Sequence, residues 1–231
     1  STTGYRNIAI GELALGATDV TGIHNIALGY TTMDALTTGT YNVAIGDTAL
    51  SASTTGCHNI AIGKLALGAG VVTGKQNIAL GETTMDALTS GYQNIAMGVN
   101  ALGASTTGCI NIAIGTQAMG ATDTTGINNI AIGADAMDAL TTGICNVAIG
   151  TGALGASSTG CQNIAIGNLA LGAGVTTGNN NVALGREAGE AMTSGYDNIM
   201  LACQAGTALT TGHRNIGMGH LALGVSTTGC Y

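Results

Sequence analysis

Apolar residues along this chain alternate with small or polar ones inside a segment, Thr-Gly-x-x-Asn-Ile-Ala-Ile-Gly, that returns from one end to the other. In Asn7-Ile8-Ala9-Ile10 the period of two predicts a β-strand with one buried face. Ile8 and Ile10 are the large apolar residues, so we expect them to point into the core and Ala9 to point away. Each Asn is followed by Ile or Val, and β-branched residues favour a pleated sheet.

The recurring Asn defines thirteen repeats of 17 or 18 residues. The spacings follow the order 18, 17, 17, so that a larger unit of 52 residues repeats along the chain. The thirteen positions are Asn7, Asn25, Asn42, Asn59, Asn77, Asn94, Asn111, Asn129, Asn146, Asn163, Asn181, Asn198 and Asn215.

The rest of each repeat predicts a closed coil. Gly stands three residues before every Asn and four after all but one, and such glycines bend the chain. Between them an Ala-Leu pair such as Ala49-Leu50 is read as a second short strand, and Thr-Thr-Gly as the closing turn. Seventeen residues cannot bury a hydrophobic face alone, so the coils must stack. We therefore predict an all-β, parallel β-solenoid of thirteen coils, forming a single domain over residues 1–231.

Composition excludes several classes of protein. Only 7% of the 231 residues are charged, the net charge is -7, and there are 39 Gly but no Pro, Trp or Phe. This is not the surface of an ordinary soluble enzyme. No apolar stretch is long enough for a spanning helix, so no membrane insertion is expected, and five basic residues do not provide a nucleic-acid-binding surface.

The Asn positions predict a structural ladder, because a stacked amide can donate to one neighbouring coil and accept from the other. Ala two residues after the Asn recurs in all but two repeats, where Met200 and Gly217 stand. Two interpretations of this Ala column stay open. Either it lines the narrow interior of the coil, or it is a flat apolar stripe at which copies of the chain associate.

Hydroxyl residues precede each turn glycine, from Thr3 to Thr211, with Ser90 and Ser194 substituting. Such a ladder, spaced about 4.8 Å apart, is what an ice-binding surface would need. Thr-Gly and Ser-Gly are also ordinary turn sequences. Two consecutive Thr in extended conformation would point to opposite faces, which favours the turn interpretation.

Six cysteines are present, and Cys57, Cys109 and Cys161 each fall two residues before an Asn, three coils apart. About 14 Å of axial rise separates them, too far for a disulfide between them. They are predicted to be free or intermolecular, and Cys230 at the matching position is a candidate for an intersubunit contact or disulfide. Cys145 and Cys161 lie about one coil apart, so a bond between them is the alternative.

Catalytic chemistry is not indicated. The four His residues lie on distant repeats, no Cys-x-x-Cys spacing suggests zinc, and no acidic pair recurs in a catalytic pattern. We expect no enzyme activity, no cofactor and no metal. Tyr, Cys and His residues near the Asn positions form an edge that is a candidate contact surface.

The repeat core Asn-Ile-Ala-Ile-Gly resembles the Ser-Val-Ala-Ile-Gly repeat in the β-roll heads of trimeric autotransporter adhesins, the YadA-like family. The longer pattern, Asn-x-Ala-x-Gly-x-x-Ala-Leu followed by Thr-Thr-Gly, is similar to repeats of phage tail-fibre-like proteins and covers the whole chain. The resemblance implies a left-handed coil and a homotrimeric or bundled fibre. It also implies a place outside the cell, or on a cell or virion surface, and attachment to a cell or host surface. The repeats here are longer than those of the adhesin heads.

Both ends of the sequence carry the same Thr-Thr-Gly turn without a polar capping segment, so we expect either a fragment of a longer fibre or subunits that stack head to tail into a filament. The leading hypothesis from the sequence is thus a non-enzymatic extracellular structural or adhesive protein that self-associates into a fibre. The alternative is an ice-binding solenoid that uses the Thr ladder.

Overall fold

The computed structural model describes residues 4–17 and 19–230, and it confirms an all-β parallel solenoid. The chain divides into two compact units, Ser1–Asn111 and Ile112–Tyr231, and each has its own run of paired strands. No helix occurs in the part of the chain that the structure describes. The sequence prediction of one domain over 1–231 stays a prediction.

Each repeat contributes one strand of three residues, directly after its Asn. In the first unit these are β1 (Ile8–Ile10), β2 (Ile26–Leu28), β3 (Val43–Ile45), β4 (Ile60–Ile62), β5 (Ile78–Leu80) and β6 (Ile95–Met97). In the second unit they are β7 (Ile112–Ile114), β8 (Ile130–Ile132), β9 (Val147–Ile149), β10 (Ile164–Ile166), β11 (Val182–Leu184), β12 (Ile199–Leu201) and β13 (Ile216–Met218).

Within each unit the strands pair in parallel with the next strand in chain order. The register equals one repeat, so that Val43 pairs with Ile60, Ala44 with Ala61 and Ile45 with Ile62. Identical positions of successive repeats therefore form straight columns along each unit.

The prediction that Ile8 and Ile10 point into the core is wrong, since they are 51% and 64% exposed. The middle Ala of β2 to β11 is completely buried instead, while its two aliphatic neighbours face outward. A coil of 17 or 18 residues encloses a narrow interior, and only a small side chain fits on the strand wall opposite the buried Leu or Met residues. The Ala column thus lines the interior, which is the first of its two interpretations.

The two repeats without this Ala show how tightly the interior is filled. In β12 the middle residue is the buried Met200, and the position that holds Leu or Met in most repeats is Gly206. A Cβ added to Gly206 would lie 2.5 Å from the Met200 sulfur. In β13 the middle residue is Gly217, where an added Cβ would lie 3.0 Å from the same sulfur. The long Met200 side chain therefore occupies the space that two glycines leave open.

Among the residues that the structure describes, none of the Ala-Leu pairs forms the predicted second strand. Ala49 and Leu50 lie in a series of turns, in which Thr48 and Leu50 both have φ of 53° and Gly46 has φ of 134°. Both Ala49 and Leu50 are fully buried, which an extended pair could not achieve because neighbouring side chains of a strand point to opposite faces. The Leu50 N–H nevertheless donates to Ala66 O of the next coil at 2.9 Å. Stacking of the coils therefore also provides backbone hydrogen bonds on the side of the coil formed by these turns.

Candidate association surface

The outward side of the strands carries two aliphatic columns. The first and third residues of every strand are Ile, Val, Leu or Met, without a polar or charged residue among them. We call these positions the outer aliphatic face. Those more than a third exposed are Ile8, Ile10, Ile62, Met97, Ile132, Ile149, Ile164, Ile166, Leu184, Ile199, Ile216 and Met218.

The size of this face is set by the strand geometry. Three residues span about 10 Å along a strand and successive strands lie about 4.8 Å apart, so each unit presents about 300 Å² of projected aliphatic surface. An ordinary monomer shows a largest apolar patch of about 300–600 Å² in total, and such patches are often functional. The two units of this chain each reach that range.

The Asn ladder lies directly behind the face and is buried throughout the inner repeats. The Asn42 side chain donates through Nδ2 to Asn25 Oδ1 at 3.1 Å and to Gly56 O at 2.7 Å. Its own Oδ1 accepts from the Asn59 backbone N–H at 2.9 Å. All of its polar atoms are thus paired across neighbouring coils, which fixes the register of the outer columns.

The same bonds recur along both units. The backbone N–H of each Asn donates to the side-chain Oδ1 of the preceding Asn, from Asn7 to Asn111 in the first unit and from Asn129 to Asn215 in the second. The amides have no free donor or acceptor with which to hold a ligand at the inner positions of these runs. Their arrangement is that of a structural ladder.

The hydroxyl column consists of the Thr or Ser before each turn glycine, and it is exposed. Thr38 and Thr55 show the pattern, while Thr37, one residue earlier, is partly buried and donates to Thr54 O at 3.1 Å. The exposed hydroxyl array is therefore one residue wide in each unit. Thr3, the first predicted member, lies outside the described residues.

All six cysteines are free thiols, and this includes the Cys145–Cys161 pair that was the alternative disulfide. Cys57, Cys109, Cys161 and Cys230 share one position in the repeat. Each places its Sγ 3.2 to 3.4 Å from the carbonyl oxygen two residues earlier. Cys230 also has an imidazole beside it, because His213 Nδ1 lies 3.1 Å from its Sγ. The one-coil spacing of His213 and Cys230 was the sequence signal for this contact.

Aromatic side chains stack along the edge formed by the two residues before each Asn. The ring centroids of His24 and Tyr41 are 4.7 Å apart, and those of Tyr41 and His58 are 5.0 Å apart. Tyr196 and His213 stack in the same way at 4.7 Å. The sequence predicted that the Tyr and His residues lie on one edge. The stacking of rings one coil apart was not predicted.

An open groove of about 460 Å³ lies on this edge of the first unit. Its lining is Thr73, Gly74, Lys75, Gln76, Ser90, Tyr92 and Gln93. One ammonium group, hydroxyls and amides make up its polar chemistry, without a carboxylate or an imidazole. A groove of this kind offers contacts but no acid–base pair.

Burial raises the pKa of Asp138, against the lowering effect of the Ala121 N–H that donates to its Oδ1 at 2.9 Å. The hydrogen bond to Cys203 raises the pKa of Arg186. Within residues 4–17 and 19–230, no cluster of three His, Cys, Asp or Glu is placed to hold a metal ion. In the same part of the chain no helix is long and apolar enough to cross a membrane.

Comparison of the chain with protein-family models, curated proteins and solved structures found no match. The likeness of its repeat to adhesin-head and tail-fibre repeats therefore stays a prediction from the sequence. What the fold assembles is an aliphatic face held in register by a buried amide ladder.

Proposed function

We propose that this chain is a non-enzymatic structural protein that associates with copies of itself into a fibre through the outer aliphatic face. The observation that supports this is the face itself, in which every outward strand position is aliphatic. Water-exposed columns of Ile and Val are costly for a chain that works alone, because apolar surface contributes about 25 cal/mol per Å² when it is buried.

A second copy is the occupant that fits the face best. Another copy has the same spacing of about 4.8 Å between its strands, so its side chains interlock with these columns at every coil. Covering the faces of both units on two chains removes about 1,200 Å² from water, the lower end of the range for stable interfaces. None of the twelve acidic residues occupies the face, so the net charge of -7 does not oppose close contact there.

Copies of the chain have two possible modes of assembly, of which the first is the one proposed. Copies side by side, as in a homotrimer, cover the aliphatic face, whereas copies stacked head to tail extend the strand ladder and leave the face open. We place the fibre outside the cell or on a cell or virion surface, with an adhesive or scaffolding role, on the basis of the repeat pattern described above. The surface to which it attaches is a cell or host surface.

Sedimentation velocity of matched variants tests this proposal. Ile62→Glu and Ile166→Glu place a charge on the outer aliphatic face, at positions that are each 39% exposed. Thr55→Glu and Thr159→Glu place the same charge on the hydroxyl column of the same repeats, where the side chains are also exposed. Circular dichroism checks that all four variants keep the β-fold.

We expect the wild type and the Thr variants to sediment as trimers or larger assemblies, and the Ile variants to sediment as monomers. A wild-type protein that stays monomeric at high concentration would refute self-association. Assemblies that survive both Ile substitutions would refute association through the outer aliphatic face and favour head-to-tail stacking, which electron microscopy would show as filaments.

Ice binding is the second candidate, and the exposed hydroxyl column is the observation that favours it. Thermal hysteresis of a concentrated solution measures it directly. Thr38→Val and Thr55→Val would reduce the hysteresis if the hydroxyl column bound ice, and Ile62→Glu would reduce it if the aliphatic face did. Absence of hysteresis at high concentration removes this candidate.

A further inference from the structure

The four cysteines that share one repeat position provide an internal comparison. Cys57, Cys109, Cys161 and Cys230 make the same contact to a carbonyl two residues earlier. Their neighbours on adjacent coils differ. Cys57 forms an isolated parallel bridge with Lys75, and the Cys161 backbone N–H donates to Asn179 Oδ1 at 2.8 Å. Differences in reactivity between these thiols therefore report on their neighbours and on their exposure.

Cys230 is distinguished by His213. The two residues form an isolated parallel bridge, which places their side chains next to each other on adjacent coils. His213 Nδ1 lies 3.1 Å from Cys230 Sγ, within reach of a proton on the sulfur. Cys230 is exposed, so a reagent can approach the sulfur from solvent.

The imidazole is held in place by its surroundings. Its ring lies parallel to the Tyr196 ring, with 4.7 Å between centroids and 3° between planes. The charged groups nearby are Arg214 and Asp197, which pair with each other at 3.9 Å between Nε and Oδ2. A fixed imidazole facing a thiol is the arrangement in which His acts as a base toward Cys.

We propose that Cys230 is a thiol-exchange site, with His213 as its base and disulfides as its substrates. His213 Nδ1 takes the proton from Cys230 as the sulfur attacks one sulfur of the incoming disulfide. A new bond forms between Cys230 and that sulfur, the original disulfide bond breaks, and the second sulfur leaves as a thiolate with the electron pair. The incoming disulfide is the oxidant, so the exchange is balanced. It takes place on a single chain and does not depend on self-association.

The test uses the intact chain and the aromatic disulfide 5,5′-dithiobis(2-nitrobenzoate) as the probe. Rates of labelling are followed for each cysteine by quenching with acid and counting labelled peptides by mass spectrometry at neutral pH. His213→Phe is the informative variant, because Phe keeps a flat ring against Tyr196 and removes the base. Cys145, which is also exposed, controls for access alone.

An ordinary thiol is only a few per cent ionised at neutral pH, and a neighbouring base that takes its proton raises the rate of attack. We therefore expect Cys230 to react about ten-fold faster than Cys145 and Cys57. His213→Phe should bring the Cys230 rate to within about three-fold of Cys145 and leave the other rates unchanged. Glutathione disulfide as a second probe should show the same order.

Equal Cys230 rates in the wild type and His213→Phe would overturn the proposal, because exposure alone would then explain the labelling. A rise in the rates of all cysteines in the variant would also overturn it, since loosening of the fold exposes thiols and would mean that the ring supports the local fold instead of acting as a base. Retained near-ultraviolet circular dichroism of the tyrosines shows that the variant keeps its fold and separates these two results.

Discussion

At the scale of single residues, the Asn column decides the structure. A buried amide without partners costs about 1–3 kcal/mol, so a column of buried Asn is tolerated only where every amide is paired. Stacking at a constant register provides those pairs, and any slip of one repeat against the next would break them. The ladder therefore selects one register among those that the aliphatic residues alone would allow.

The first prediction concerns Asn163, whose Nδ2 donates to Asn146 Oδ1 and Gly178 O and whose Oδ1 accepts from the Asn181 backbone N–H. Asn163→Ala leaves Gly178 O and the Asn181 backbone N–H of the next coil without these partners, and we expect it to lower the free energy of unfolding by about 3 kcal/mol. Asn168→Ala, in the same repeat, removes one exposed bond to Thr151 O and should cost less than about 0.5 kcal/mol. Denaturant unfolding compares the two, and equal losses would contradict the ladder's role.

The sequence indicated the strands but not which side of them faces inward. Ile and Ala are both apolar, so the period of two allows either to be buried, and size alone favours burial of the larger residue. The available volume decides otherwise, because the interior of the coil accepts Ala44 but not Val43 or Ile45 on the strand wall. The deciding signal was the Asn itself: Asn42 and Ala44 share a side of the strand, so a buried Asn ladder requires a buried Ala.

At the scale of elements, each coil consists of one short strand and a longer series of turns. Three non-glycine positions in most coils have a left-handed backbone, as Tyr41, Thr48 and Leu50 do in one repeat. Such conformations cost about 1–2 kcal/mol per residue, and hydrogen bonds to neighbouring coils offset that cost. Sequence rules assign left-handed positions to Gly and Asn, so they predict a second strand where Leu takes this conformation.

The second prediction tests the fit between Met200 and Gly206 across the interior. Met200→Ala should lower the free energy of unfolding by about 2–5 kcal/mol because it leaves a cavity. Gly206→Leu alone should cost about 1–3 kcal/mol, because its side chain would overlap the Met200 sulfur. The double variant recreates the Ala and Leu pairing of the other repeats and should lie within about 1 kcal/mol of the wild type.

Denaturant unfolding of the four proteins completes the cycle. If the losses of the two single variants simply add in the double variant, Met200 and Gly206 do not fill the same space. If the two residues fill the same space, the double variant loses much less free energy of unfolding than the sum of the two single losses.

At the scale of the whole molecule, the sequence predicted the solenoid class because its repeats are regular and no repeat is stable alone. The outer aliphatic face was not predicted. It exists because the Ile and Val side chains of the strands point outward, whereas the sequence pattern predicted that they point into the core. The contact between His213 and Cys230 was also missed. The sequence-based prediction considered only the spacing between cysteines and not the residues one coil away from each of them.

The central claim, that copies of the chain cover the outer aliphatic face, is tested most directly by methionine oxidation of the unmodified protein. Met97 and Met218 lie on the face and are 40% and 69% exposed, whereas Met85 and Met137 are completely buried in the interior. Hydrogen peroxide oxidises accessible methionines, and peptide mass spectrometry gives a rate for each.

We predict that Met97 and Met218 are protected at high protein concentration and become oxidised rapidly on dilution, while Met85 and Met137 stay protected at every concentration. Rapid oxidation of Met97 and Met218 at every concentration would contradict the account, because it would mean that no copy of the chain covers the outer aliphatic face.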